Sequence, residues 1–204
     1  MKHVDMLINR YPILAECREE IEKVIEGIVS MHENGGTLLL CGNGGSAADS
    51  EHISGELLKG FLLKRPLTES EKRGIPKDVA EKLQGGIKAI PLTALSALGT
   101  AFSNDVDADL VYAQLVSVLG GKNDVFLGIS TSGNAKNVCA AAEVARARGM
   151  LTVALTGACG GRLAGLCDVA VKVSETETYK VQELHLPVYH AICAEVERIV
   201  FGGQ

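Results

Sequence analysis

The chain has 204 residues, 47% hydrophobic and 22% charged, an ordinary globular balance with enough length to bury one substantial core. Its net charge of −5 and pI near 5.6, with Lys and Arg scattered among acidic residues, exclude an electrostatic footprint for nucleic acid or anionic lipid, so any phosphate recognition has to be local. No apolar stretch reaches the roughly eighteen residues of a membrane span, and Met1-Lys2-His3-Val4-Asp5 lacks the basic and apolar regions of a signal peptide, so a cytoplasmic location is expected.

From Val4 to His32 the residues Leu7, Ile8, Ile13, Leu14, Ile21, Val24, Ile25 and Ile28 recur mainly at three and four, predicting helix that Pro12 breaks or offsets. Glu33-Asn34-Gly35-Gly36 ends this segment, residues 1–34, which is too short for a core of its own and is expected to pack on its own domain or a neighbouring subunit. Apolar runs at Thr37–Gly42, Ile87–Thr93, Asp124–Ser130, Leu151–Thr156 and Val169–Val173 predict five strands. Between them Asp107–Leu119, Asn134–Arg148 and Tyr179–Val200 are helix-like. Continuous apolar strands alternating with helices predict a single α/β domain, a three-layer sandwich around a doubly wound parallel sheet. Right-handed crossovers then bring the loops after the strands to one edge, where ligands of such sheets bind. Residues 64–86, polar and broken by Pro66, Gly74 and Pro76, are expected to form a surface excursion with a short helix around Asp78–Leu83. The six cysteines sit mostly in apolar segments without a CxxC pair, which predicts buried free thiols.

Three segments carry chemistry. Leu38-Leu39-Leu40-Cys41 runs into Gly42-Asn43-Gly44-Gly45-Ser46, a turn whose glycines expose amides at the start of a helix. On that helix His52 and Glu56 lie one turn apart and project from one face, able to share a metal or a proton. A dinucleotide fingerprint would need an acidic residue about twenty positions on, and Leu62-Leu63-Lys64-Arg65 supplies none. Next, Ser130-Thr131-Ser132-Gly133-Asn134 puts three hydroxyls at a strand end before a helix, a cradle for phosphate. Capping by Ser132 or Asn134 would account for one hydroxyl, and the pattern lacks the second glycine of a hydrolase elbow. Last, Gln182, Leu186 and His190 follow at four-residue steps in the final helix. With His52 and Glu56 they offer a zinc-type ligand set, although Gln182 and His190 stand about 12 Å apart along an ideal helix. Either Gln182 sits at a loosened helix start or the site draws on two subunits.

Together, CGNGGSAAD with His52 and Glu56, Ser103-Asn104-Asp105, GISTSGN, and VQE-x-H followed by His190 resemble the sugar isomerase (SIS) superfamily, and within it the phosphoheptose isomerases. The resemblance implies a flavodoxin-like five-stranded SIS domain over the whole chain. It implies conversion of D-sedoheptulose 7-phosphate to D-glycero-D-manno-heptose 7-phosphate, the first step toward nucleotide-activated heptose. It places Asn43, Gly44, Gly45, Ser46, Asn104 and Asp105 at the sugar, with Glu56 and Gln182 also near it, and Ser130, Thr131 and Ser132 at the phosphate. It also implies one Zn2+ per subunit at His52, Glu56, Gln182 and His190, an acid/base pair of Glu56 and His190, and a homotetramer with sites between subunits. The chain departs from the family pattern at Ala135, where a serine is usual, in the length of the excursion, and at Tyr179-Lys180. A non-catalytic SIS phosphosugar binder, a partner of a replication initiator, and an isomerase of another ketose phosphate are the competing readings. Retention of both Glu56 and His190 favours the enzyme.

Overall fold

The computed structural model describes residues 1–202. Helix α1 (Lys2–Arg10) is followed by Pro12, which opens a 3-10 segment at its first position, and the chain then enters α2 (Arg18–Glu33). Pro12 therefore offsets two helices. Strand β1 (Leu38–Cys41) leads through the glycine turn into α3 (Gly45–Leu58). After the excursion, whose helix α4 is the single turn Lys77–Ala80, come β2 (Ala89–Pro91) and α5 (Ser96–Phe102). A π-helical turn over Ser103–Asp107 leads to α6 (Val111–Leu119). The remainder alternates: β3 (Val125–Ser130), α7 (Lys136–Ala147), β4 (Leu151–Thr156), α8 (Gly161–Leu166), β5 (Val169–Lys172) and α9 (Thr178–Phe201).

All five strands are parallel, in the order β2-β1-β3-β4-β5, with Leu38 in register with both Ala89 and Val125. This is the doubly wound α/β sheet that the apolar runs predict. Alternate strand residues explain the three layers: Leu38 and Leu40 face a core shared with α1, α2, α3 and α9. Leu39 and Cys41 face a second core built with α6, α7 and α8. The chain reverses direction across the sheet between β1 and β3, so the turns after these two strands flank a topological switch point.

The excursion is closed at its base by an antiparallel bridge between Pro66 and Gln84. It is not wholly a surface feature, since the Arg65 side chain is fully buried. All six cysteines are free, four of them buried, with Cys167 half-buried and Cys159 exposed. Among the described residues no helix is long and apolar enough to cross a membrane.

Candidate active site

The turn after β1 is tight because of what approaches it. A methyl group on Gly45 would lie 2.5 Å from Gln182 Nε2, so glycine is what lets the α9 amide rest on the start of α3. Two and three turns along α3, His52 and Glu56 do share a face, with His52 Nε2 3.3 Å from Glu56 Oε1. From α9, His190 brings its Nε2 to 3.4 Å from His52 Nε2. Two helices thus deliver two imidazoles and a carboxylate to one point. The second Glu56 oxygen lies 3.1 Å from Lys59 Nζ, a cation that sequence reasoning did not single out. Burial lowers the affinity of His190 for a proton, the His52 ring adds to this and Glu56 partly offsets it, so its pKa lies below the ordinary histidine value.

His52 is also held from behind. Tyr189, 1% exposed, places its hydroxyl 3.0 Å from His52 Nδ1 and 3.2 Å from Asp49 Oδ1. The other Asp49 oxygen is buried without a partner. Burial raises the Asp49 pKa, opposed by the Tyr189 hydrogen bond and by His52.

A zinc ion with ligands at about 2.0–2.1 Å in a tetrahedron separates neighbouring donor atoms by roughly 3.3–3.4 Å. The two spacings at His52 Nε2 match such edges, so His52, Glu56 and His190 fit zinc in donor chemistry and in these two distances. Among the described residues, however, no group of three or more His, Cys, Asp or Glu is arranged so that it could hold a metal ion as it stands. Gln182, the fourth residue expected there, has its side-chain amide against Gly45 at the start of α3.

At the other turn, Ser130 is buried while Thr131 is half-buried and Ser132 exposed. Gly133, at φ +67°, bends the chain so that its amide donates to the Ser130 carbonyl, while the Gly157 amide donates to that of Thr131. Neither Ser132 nor Asn134 caps the following helix: α7 starts at Lys136 without a side-chain cap. Asn134 instead accepts from the Arg162 amide at the start of α8, and Ser132 Oγ accepts from the Asn134 amide. The hydroxyl loop is therefore braced from α8, leaving the first amides of α7 for a ligand.

Asn104 and Asp105 lie exposed on the π-helical turn, paired with each other at 2.8 Å. Asn104 lines a cavity of about 620 Å³ together with Thr93, Tyr112 and Asn137. Asn137 ties that cavity to the glycine turn, because its amide and that of Asn43 exchange two 2.9 Å hydrogen bonds. Within one chain His190 opens on a different hollow, of about 450 Å³, bordered by α1, Phe61 and Leu62. Asp49, one turn before His52, is an additional residue whose helical spacing was readable in advance. Lys59, three residues after Glu56, had the same spacing, whereas Tyr189 and Asn137 carried no such signal.

A family model described as SIS domain matches residues 8–73 and 77–157, which include both turns. The chain is 37% identical over 207 residues to the phosphoheptose isomerase of Aneurinibacillus thermoaerophilus, covering 99% of this chain and 94% of that protein. It is 39% identical over 175 residues to phosphoheptose isomerase 2 of Campylobacter jejuni, covering 86% and 78%. Among solved structures, a phosphoheptose isomerase from Francisella tularensis superposes with a TM-score of 0.75 at 28% identity, covering 97% of this chain and all of that one. The phosphoheptose isomerase from Neisseria gonorrhoeae gives 0.71 at 30% identity, covering 95% and 97%. With these matches along nearly its whole length, the chain belongs to the SIS-domain family, among its phosphoheptose isomerases.

Proposed function

We propose that the chain interconverts D-sedoheptulose 7-phosphate and D-glycero-D-manno-heptose 7-phosphate. The observation that carries this is the meeting of two helices remote in sequence at His52, whose Nε2 lies 3.3 Å from Glu56 Oε1 and 3.4 Å from His190 Nε2. Ketose and aldose differ by one hydrogen moved from C1 to C2 and one proton moved from O1 to O2. Glu56 takes the C1 proton, the C1–H electrons form the carbon–carbon double bond of a cis-enediol, and the same carboxyl returns the proton to C2. His190, neutral at neutral pH because its pKa is lowered, gives a proton to O2 and accepts the one leaving O1. Ser130, Thr131 and Ser132 with the first amides of α7 hold the 7-phosphate, while the glycine turn from Asn43 to Ser46 and Asn104-Asp105 position the sugar. The Gln182 amide rests on Gly45, which supports its contact with the sugar as well.

His52, Glu56 and His190 would hold zinc, which when bound polarises the sugar oxygens as a Lewis acid. Met6, Leu62 and Leu186 are exposed around the His190 hollow, an apolar patch that a neighbouring subunit would cover, which supports a homotetramer with shared sites. A charged sugar phosphate does not cross a lipid bilayer unaided, which supports a cytoplasmic location for the enzyme.

Incubation with a panel of ketose phosphates, with and without a chelator, tests the reading. Aldose is expected from sedoheptulose 7-phosphate in preference to hexulose phosphates. Turnover only of a hexulose phosphate would move the substrate class, and binding without turnover of any would leave a phosphosugar binder.

A further inference from the structure

Tyr189 has one hydroxyl proton and two neighbours that compete for it. If the proton went to His52 Nδ1, Asp49 Oδ1 would face the bare phenol oxygen at 3.2 Å. With Oδ2 already buried and unpartnered, the carboxylate would then lack a hydrogen bond to either oxygen. If the proton goes to Asp49, the phenol oxygen accepts from His52 Nδ1–H at 3.0 Å and Asp49 keeps one hydrogen bond, leaving Oδ2 alone without a partner. We propose that Tyr189, backed by Asp49, is a positioning residue that holds His52 in the tautomer protonated on Nδ1 and so turns a bare Nε2 toward Glu56 and His190.

The consequence lies at the meeting point. An unprotonated Nε2 facing Glu56 Oε1 at 3.3 Å sets two acceptors against each other, an arrangement completed by a cation between them. Asp49 and Tyr189 thereby act on the ion-binding and proton-handling side of His52 without touching substrate. A hydrogen-bonded partner behind a ligating imidazole commonly controls metal affinity in this way. The inference deepens the isomerase reading of this site and rests on it for its use, though not for its test.

Long-range proton–nitrogen NMR of the full chain, labelled at the histidine nitrogens, with chelator present and above the imidazole titration, reads the tautomer directly. His52→Gln assigns the signal. The wild-type chain is expected to carry the proton on Nδ1, and Tyr189→Phe to lose that preference. Tyr189→Phe should also bind zinc roughly 10–100-fold more weakly in competition with a chromophoric chelator. Asp49→Asn, which can donate to the phenol oxygen and release the hydroxyl proton to Nδ1, is the second variant should Tyr189→Phe fail to fold. A wild-type His52 protonated on Nε2, or zinc affinity unchanged in both folded variants, overturns the proposal. An Nδ1-protonated His52 in a chain that converts no ketose phosphate supports it and refutes the isomerase reading alone.

Discussion

At the scale of single residues, His185 shows how one buried imidazole shapes acid stability. It is fully buried in α9, neither ring nitrogen closes a hydrogen bond, and burial pushes its pKa from 6.5 down to about 4, with the Thr156 backbone only partly opposing. The unfolded chain's imidazole takes up a proton near 6.5 and the folded one only near 4, so unfolding binds a proton between those values. Stability is therefore full above about pH 6.5 and falls as the pH drops toward 4, by roughly 3 kcal/mol. Urea unfolding at pH 7 and at pH 5 measures this, and His185→Leu should flatten the slope; an equal slope in that variant would assign the effect elsewhere. His52 and Glu56 were legible because four residues make nearly one helical turn. The burial of His185 and the hydroxyl of Tyr189 behind His52 were not, since both depend on where α9 crosses the sheet and α3.

Between elements, the placement of Glu56 depends on a buried ion pair. Arg65 and Glu197, with side chains 0% and 1% exposed, meet at 2.7 Å across 132 positions. Glu197 also accepts from the amides of Phe61, Leu62 and Leu63, and Arg65 donates to the Leu57 carbonyl at the end of α3 while stacking over Phe201. Burial pushes the Glu197 carboxyl up, and these amides with the guanidinium more than offset it, so it titrates below the usual glutamate range. The pair ties the end of the helix bearing Glu56 to the helix bearing His190. Glu197→Gln leaves a buried guanidinium without its counter-charge and should cost about 3–5 kcal/mol. The checking measurement is a lower urea midpoint at unchanged m-value; an unaltered midpoint would show that the clamp is not structural. Charged residues in a polar loop read as solvated, which hid Arg65. Helix α5 escaped notice for a related reason: none of its residues is buried, so no apolar face marks it. Gly160 and Gly161 likewise masked α8, which they open at positive φ.

For the whole molecule, the legible part is the sheet, because strands buried on both faces have to be apolar throughout and helices covering them have to repeat at three and four. The strand order follows from short right-handed crossovers, and it puts the turns after β1 and β3 side by side at the switch point. The Asn43–Asn137 amide pair joins those turns directly. What the sequence does not encode locally is that the His190 hollow and the Asn104 cavity open separately, since that depends on how remote helices pack around the sheet. Above all, turnover requires Glu56 to move a carbon-bound proton. Solvent-deuterium exchange with sedoheptulose 7-phosphate, comparing wild type with Glu56→Gln, tests it most directly. Deuterium on the sugar carbon and aldose formation are expected in the wild type, with both lost by several orders of magnitude in Glu56→Gln while the ketose phosphate still raises that variant's melting temperature. Exchange and turnover at wild-type rates in Glu56→Gln would contradict it.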